Sequence, residues 1–139
     1  MALIPAGDLL EHFRAPRNSG VFPSGTPDVF EGRAGEARRG REIQVQLQLD
    51  ATRRIAACRY RVYGDPATIA LCSLASETLP GLSLDQAADW RGMALAERLQ
   101  LPAEKRGAVL VLEDAVRAAV RSYNRAARPD LVAGDTGRN

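Results

Sequence analysis

The amino-acid sequence predicts an α+β fold, a small three-stranded antiparallel sheet with helices packed on one face. Three observations predict it. Residues 42–49 (EIQVQLQL) alternate strictly between polar and apolar side chains, the pattern of a strand with one wet and one buried face. Residues 55–63 repeat that period after a turn at residues 50–54, so the two segments read as a hairpin. From residue 66 onward apolar side chains recur at three and four instead, and strands followed by a run of helices mark an α+β domain rather than alternating βαβ units.

The remaining elements follow in order. Residues 8–14 read as a short helix with Leu9, Leu10 and Phe13 on one side, stopped before Pro16. Residues 20–27, with two prolines and two glycines, are a loop. Residues 28–33 are expected as the first strand. A helix over residues 67–79 ends near Pro80-Gly81, and Ser83-Leu84-Asp85-Gln86 fits a capping box that opens a short helix to about Asp89. Another short helix covers residues 92–100. The last helix, residues 104–125, is apolar nearly all round over residues 108–112, so its first turns are expected to be buried. Further along, Val116, Ala119, Val120 and Tyr123 face inward, and Glu113 faces outward four residues before Arg117. Residues 1–125 are therefore expected to form a single domain and residues 126–139 a flexible C-terminal tail.

Composition narrows the function classes. At 139 residues, 45% hydrophobic and 26% charged, the chain has the make-up of one globular domain. No apolar run reaches membrane-spanning length, and the N-terminus lacks a basic segment ahead of an apolar one, so the expected location is cytoplasmic. Cys58 and Cys72 fall on core faces and form no metal-type pair. Lys105 is the one lysine, and arginines crowd the segment from Arg33 to Arg61, which reads as a solvated surface or as a patch for an acidic partner or nucleic acid. No Gly-rich phosphate loop, His-Glu-x-x-His, Cys-x-x-Cys or nucleophile elbow is present, so an enzyme is not expected.

The period switch at Tyr63-Gly64-Asp65-Pro66 is the most informative local feature. A strand stops and a helix starts within four residues, with an Asp suited to cap that helix and a Pro suited to its first position. Asp65 thus stands at the mouth of a sharp corner, as a plain helix cap, as an ion-pair partner of Arg39 or Arg41, or as a catalytic carboxylate. His12, the single histidine, is too little for a metal site or a triad and reads as structural or surface.

The order of these pieces resembles the iron-sulfur cluster assembly scaffold family of the IscU and NifU N-terminal type. Residues 9–20 (LLEHFRAPRNSG) are similar to the family's opening helix and its Pro-Arg-Asn-x-Gly turn. Residues 35–49 stand where the family has a Cys-Gly-Asp loop running into a strand, and Tyr63 to Ala70 where it has Gly-Cys followed by a helix of small residues. Leu101, Pro102, Ala103, Glu104 and Lys105 resemble the Leu-Pro-Pro-Val-Lys segment, which implies a site for a dedicated Hsp70-type chaperone. Glu113-Asp114-Ala115-Val116 follows in register.

In that family three cysteines hold the nascent cluster, since thiolates are the ligands iron and sulfide favour. The matching positions here are Arg39, Asp65 and Ala108. Arg41 stands for the family's Asp, and Gly107 for its His. A guanidinium cannot ligate iron and a methyl group offers nothing, so no cofactor is expected. The resemblance then implies a degenerate member that lacks the ligand cysteines. It would be an adaptor or regulator binding a cysteine desulfurase, an Hsp70-type chaperone or a true scaffold, with neither membrane nor nucleic acid as partner. Two alternatives stand beside it: a structural subunit of an unrelated complex that uses the arginine-rich region, and residual iron or cluster binding through Cys58, Cys72, His12 or Asp65.

Overall fold

The computed structural model describes residues 4–127. Helix α1 (Ile4–Arg14) precedes three strands, β1 (Val29–Glu36), β2 (Arg41–Leu49) and β3 (Ile55–Tyr63). Helices α2 (Pro66–Thr78), α3 (Leu84–Ala88), α4 (Met93–Arg98) and α5 (Gly107–Ala127) follow, with 3-10 turns at Ala37–Arg39 and Ala103–Lys105. The strands form one antiparallel sheet in the order β1-β2-β3.

Strict alternation in β2 is what builds the core. Ile43, Val45, Leu47 and Leu49 are buried, whereas the glutamines between them are half-buried on the opposite face. Ile55, Cys58 and Tyr60 of β3 extend the same apolar face. Helix α5 packs against β1 and β2, α2 packs against β3, and α1 lies on α2. Part of the outer face is covered by the loop after α1: Gln46 Oε1 accepts a hydrogen bond from the Phe22 amide at 2.8 Å, and the Arg59 guanidinium lies 5.3 Å from the centre of the Phe22 ring.

Four expectations need correction. The first strand continues to Glu36, because each of its residues from Val29 finds a partner on β2, ending with Glu36 opposite Arg41. The last helix starts at Gly107 after a 3-10 turn rather than at residue 104, and it runs to Ala127, so residues 126 and 127 are helical instead of tail. The rest of the expected tail lies outside the described residues. Its first turns are not buried all round, since Leu110 is 60% exposed; with helices on only one face of the sheet, the far side of α5 meets solvent. Glu113 faces inward rather than outward, 5% exposed, and Arg117 pairs with Asp114 instead.

Candidate functional site

The corner between β3 and α2 forms as its residues dictate. Asp65 is the N-cap of α2 and Pro66 follows at the first helical position. The Asp65 Oδ1 atom accepts hydrogen bonds from the Thr68 amide at 2.9 Å and from the Thr68 hydroxyl at 2.7 Å. Its other oxygen, Oδ2, accepts from Lys105 Nζ at 2.7 Å. Gly64 keeps the turn tight, because a Cβ there would come within 3.1 Å of the Thr68 side chain.

Asp65 is therefore both cap and ion-pair partner, but the partner is Lys105 and not Arg39 or Arg41. Lys105 closes the 3-10 turn that leads into α5, which places its ammonium beside the start of α2. Arg39 turns instead to Glu36, three residues back, with its Nε 3.0 Å from the carboxylate, and its side chain is 80% exposed. Arg41 Nε donates to the Thr68 hydroxyl at 3.2 Å, so Thr68 links Arg41 to Asp65 without a direct charge pair. The start of β2, the corner and the approach to α5 thus meet at one place. Gly107 belongs to it, since a Cβ there would lie 3.4 Å from Arg41 Nη1. Ala108, the next residue, is wholly buried. Beside this junction is an open cavity of about 380 Å³ lined by Gly35, Glu36, Arg39, Arg41 and Val111.

Burial by itself would raise the Asp65 carboxyl, but the hydrogen bonds from Lys105 and Thr68 outweigh it and hold the group at about 2. A carboxyl depressed in the folded state contributes stability that is complete above the ordinary carboxylate range, and that is lost as pH falls from about 4 toward 2. Asp65→Ala is expected to lower stability at neutral pH by about 2 kcal/mol and to flatten the acid limb of the stability curve. Chemical denaturation at a series of pH values checks both effects. An unchanged acid limb would place the titrating group elsewhere.

His12 is structural. It is buried, its Nδ1 lies 2.7 Å from Ser73 Oγ, and the same hydroxyl oxygen accepts from the Arg17 amide at 2.9 Å. Asn18 Nδ2 donates to Ser76 Oγ one turn along α2, at 3.0 Å. The Pro-Arg-Asn turn is thereby fastened to α2 through two serines. Burial lowers the His12 pKa, Glu77 and Glu11 oppose that, and Arg17 and Arg98 add to it. A histidine lowered by folding is favoured neutral, so its contribution is full above about 6.5 and is lost as pH falls below that value. The parent protein should lose more stability between about pH 7.5 and pH 5.5 than His12→Gln does, a difference that paired denaturation curves measure directly.

Neither cysteine is an exposed ligand. Burial pushes the Cys58 thiol up to about 12 and raises that of Cys72 as well, so both are held as thiols in the core. Among the described residues no group of three or more His, Cys, Asp or Glu side chains is placed to hold a metal ion.

The segment Leu101, Pro102, Ala103, Glu104 and Lys105 is folded into the domain rather than displayed. Leu101 is 1% exposed, its amide donates to Ala96 and its carbonyl accepts from Arg106 Nε. Pro102, Ala103 and Glu104 are exposed, while Lys105 is half-buried on Asp65. Sequence reasoning missed the Lys105–Asp65 pair and the linking role of Thr68. The singular lysine was the available signal for the first; nothing local signals the second.

Residues 6–129 match the NifU-like N terminal domain family. The chain is 33% identical over 115 residues to the iron-sulfur cluster assembly scaffold protein IscU of Azotobacter vinelandii, covering 83% of this chain and 90% of that protein. It is also 33% identical over 116 residues to iron-sulfur cluster assembly protein 2 of Arabidopsis thaliana, covering 84% of this chain and 71% of that protein. The fold is similar to the crystal structure of a NifU-like N-terminal protein from Brucella abortus, with a TM-score of 0.65 at 15% identity over 85% of this chain and 92% of that one.

Proposed function

The chain belongs to the NifU-like N terminal domain family, and on that premise we propose that it is a non-catalytic adaptor or regulator of iron-sulfur cluster assembly rather than a scaffold that builds a cluster. One observation carries the proposal. The side chains where the family resemblance implies three thiolates are Arg39, Asp65 and Ala108: the first is a cation paired with Glu36, the second is engaged by Lys105 and Thr68, and the third is a buried methyl. This donor set does not fit an iron-sulfur cluster, which demands soft anionic ligands. The fold around those positions is intact, so what the chain retains is a surface for partners.

The partners proposed are a cysteine desulfurase, an Hsp70-type chaperone or a true scaffold. Burial of Leu101 means that a chaperone reading residues 101–105 as an extended peptide would first have to open this turn. Two rival readings have less support. The arginine-rich region is neutralised in part by its own carboxylates, with Arg33 on Glu42 and with Arg38 and Arg39 sharing Glu36. Residual metal binding would have to draw on Cys58, Cys72 and His12, all buried, or on Asp65, which Lys105 and Thr68 already engage.

Two measurements test the proposal together. Anaerobic reconstitution with iron and sulfide should give no cysteine-dependent visible chromophore, and affinity capture from the native cell should recover at least one cluster-assembly component. A brown product abolished by Cys58→Ala or Cys72→Ala would restore the scaffold reading, and capture without any assembly component would remove the pathway.

A further inference from the structure

The cavity next to the corner has a charge pattern that the adaptor role does not use. Its walls are the turn from Gly35 to Arg41 and the second turn of α5, represented by Val111. Each carboxylate around it is already engaged. Glu36 is shared by Arg38 and Arg39, Glu42 pairs with Arg33, and Asp65 is held by Lys105 and Thr68. Arg41 differs from Arg33, Arg38 and Arg39. It is half-buried, its Nε is fixed on the Thr68 hydroxyl, and among the described residues no carboxylate pairs with it. A guanidinium that is half-removed from water, fixed through its Nε and without a paired carboxylate keeps its Nη1/Nη2 edge for an incoming anion.

Two backbone features add to this. Helix α5 has 21 residues and carries no acidic side chain in its first turn, so its positive end stands beside Arg41 without a carboxylate of its own. Gly35, which lines the cavity, has φ +82° and a Cβ there would strike the Arg41 carbonyl oxygen at 2.4 Å, so this turn is built without a side chain.

We propose that this cavity binds a phosphoryl oxyanion, either free phosphate or the phosphate of a monoester, gripped by the guanidiniums of Arg41 and Arg39. A phosphoryl group offers the several oxygens that a forked guanidinium matches in pairs, and a concave site of this size accepts one such group with room for a small ester. Glu36 at the rim does not oppose it, because its charge is already shared between two arginines. The site goes beyond the adaptor role and does not depend on it, since it concerns this chain alone.

Titration of the full chain with inorganic phosphate at constant ionic strength, followed through the backbone amides of Gly35, Gly40 and Gly107, is the test. Saturable shifts with a dissociation constant of about 1 mM or tighter are expected. Arg41→Gln should weaken binding at least about tenfold, and Arg41→Lys should recover only part of the loss, because an ammonium keeps the charge without the fork. Arg39 is largely exposed, so Arg39→Gln, which also should weaken binding, serves if the Arg41 variants fold poorly. Arg54→Gln, at the far hairpin turn, should leave it unchanged. A parallel titration with glycerol phosphate separates the sources: tighter binding than phosphate identifies an ester ligand, and equal or weaker binding identifies the free ion. Shifts that rise linearly without saturating, that acetate reproduces, or that persist in both arginine variants would overturn the site. So would a response to an oligoglutamate peptide with none to phosphate, which would assign the face to an acidic protein.

Discussion

Gly32→Ala should be among the most damaging single substitutions in the chain, lowering stability by about 3 kcal/mol or more. Strand β1 passes directly beneath α5 at this residue. A Cβ on Gly32 would fall 2.2 Å from the Ala115 carbonyl oxygen and from the Ala119 amide nitrogen, and 2.7 Å from the Ala118 carbonyl carbon. All three obstacles are main chain, so no rotamer change relieves the overlap and α5 itself must lift from the sheet. That motion would loosen Val109, Leu112, Val116 and Val120 together. Urea denaturation of the variant measures the loss, and a change below about 1 kcal/mol would mean that α5 does not rest on β1 at this residue.

Glu113→Ala is expected to cost about 2 kcal/mol, and Glu113→Gln to recover most of it. The Glu113 Oε2 atom accepts from the buried Gly92 amide at 2.8 Å, which ties the start of α4 to the middle of α5. Truncation leaves that amide without a partner in a place water does not readily reach, whereas glutamine keeps an acceptor oxygen of the same reach. Gly92 has no spare room either, since a Cβ there would lie 3.0 Å from the Trp90 ring and 3.2 Å from Val109. Equal losses for Ala and Gln would show that the charge of Glu113, rather than its hydrogen bond, is what matters.

Glu113 also illustrates where the sequence stops being legible. A glutamate four residues before an arginine on a two-faced helix reads as an outward pair, and by local rules that is the right inference. Its true partner is an amide 21 residues away on a different element, and nothing in helical spacing encodes that. The same holds for Asp65. Its capping role was legible because a cap is a matter of neighbours three residues apart, but Lys105 is forty residues distant and reached it only through the packing of α5. Strand β2, in contrast, was found within a residue of its bounds, because alternation is a local property that survives whatever packs on it. The family resemblance located the three positions on separate elements, and the structure brings Arg41, Asp65 and Gly107 to one junction while Arg39 swings out to Glu36.

Both sulfhydryls of this chain are sealed inside it, Cys58 on β3 and Cys72 within α2. A maleimide dye added to the native protein should therefore find nothing to react with, and unfolding should release two equivalents. A reporter cysteine engineered onto the surface would then be modified alone, with no need to delete the natural pair, so distances from the cavity rim to a bound partner can be followed in an otherwise unaltered molecule.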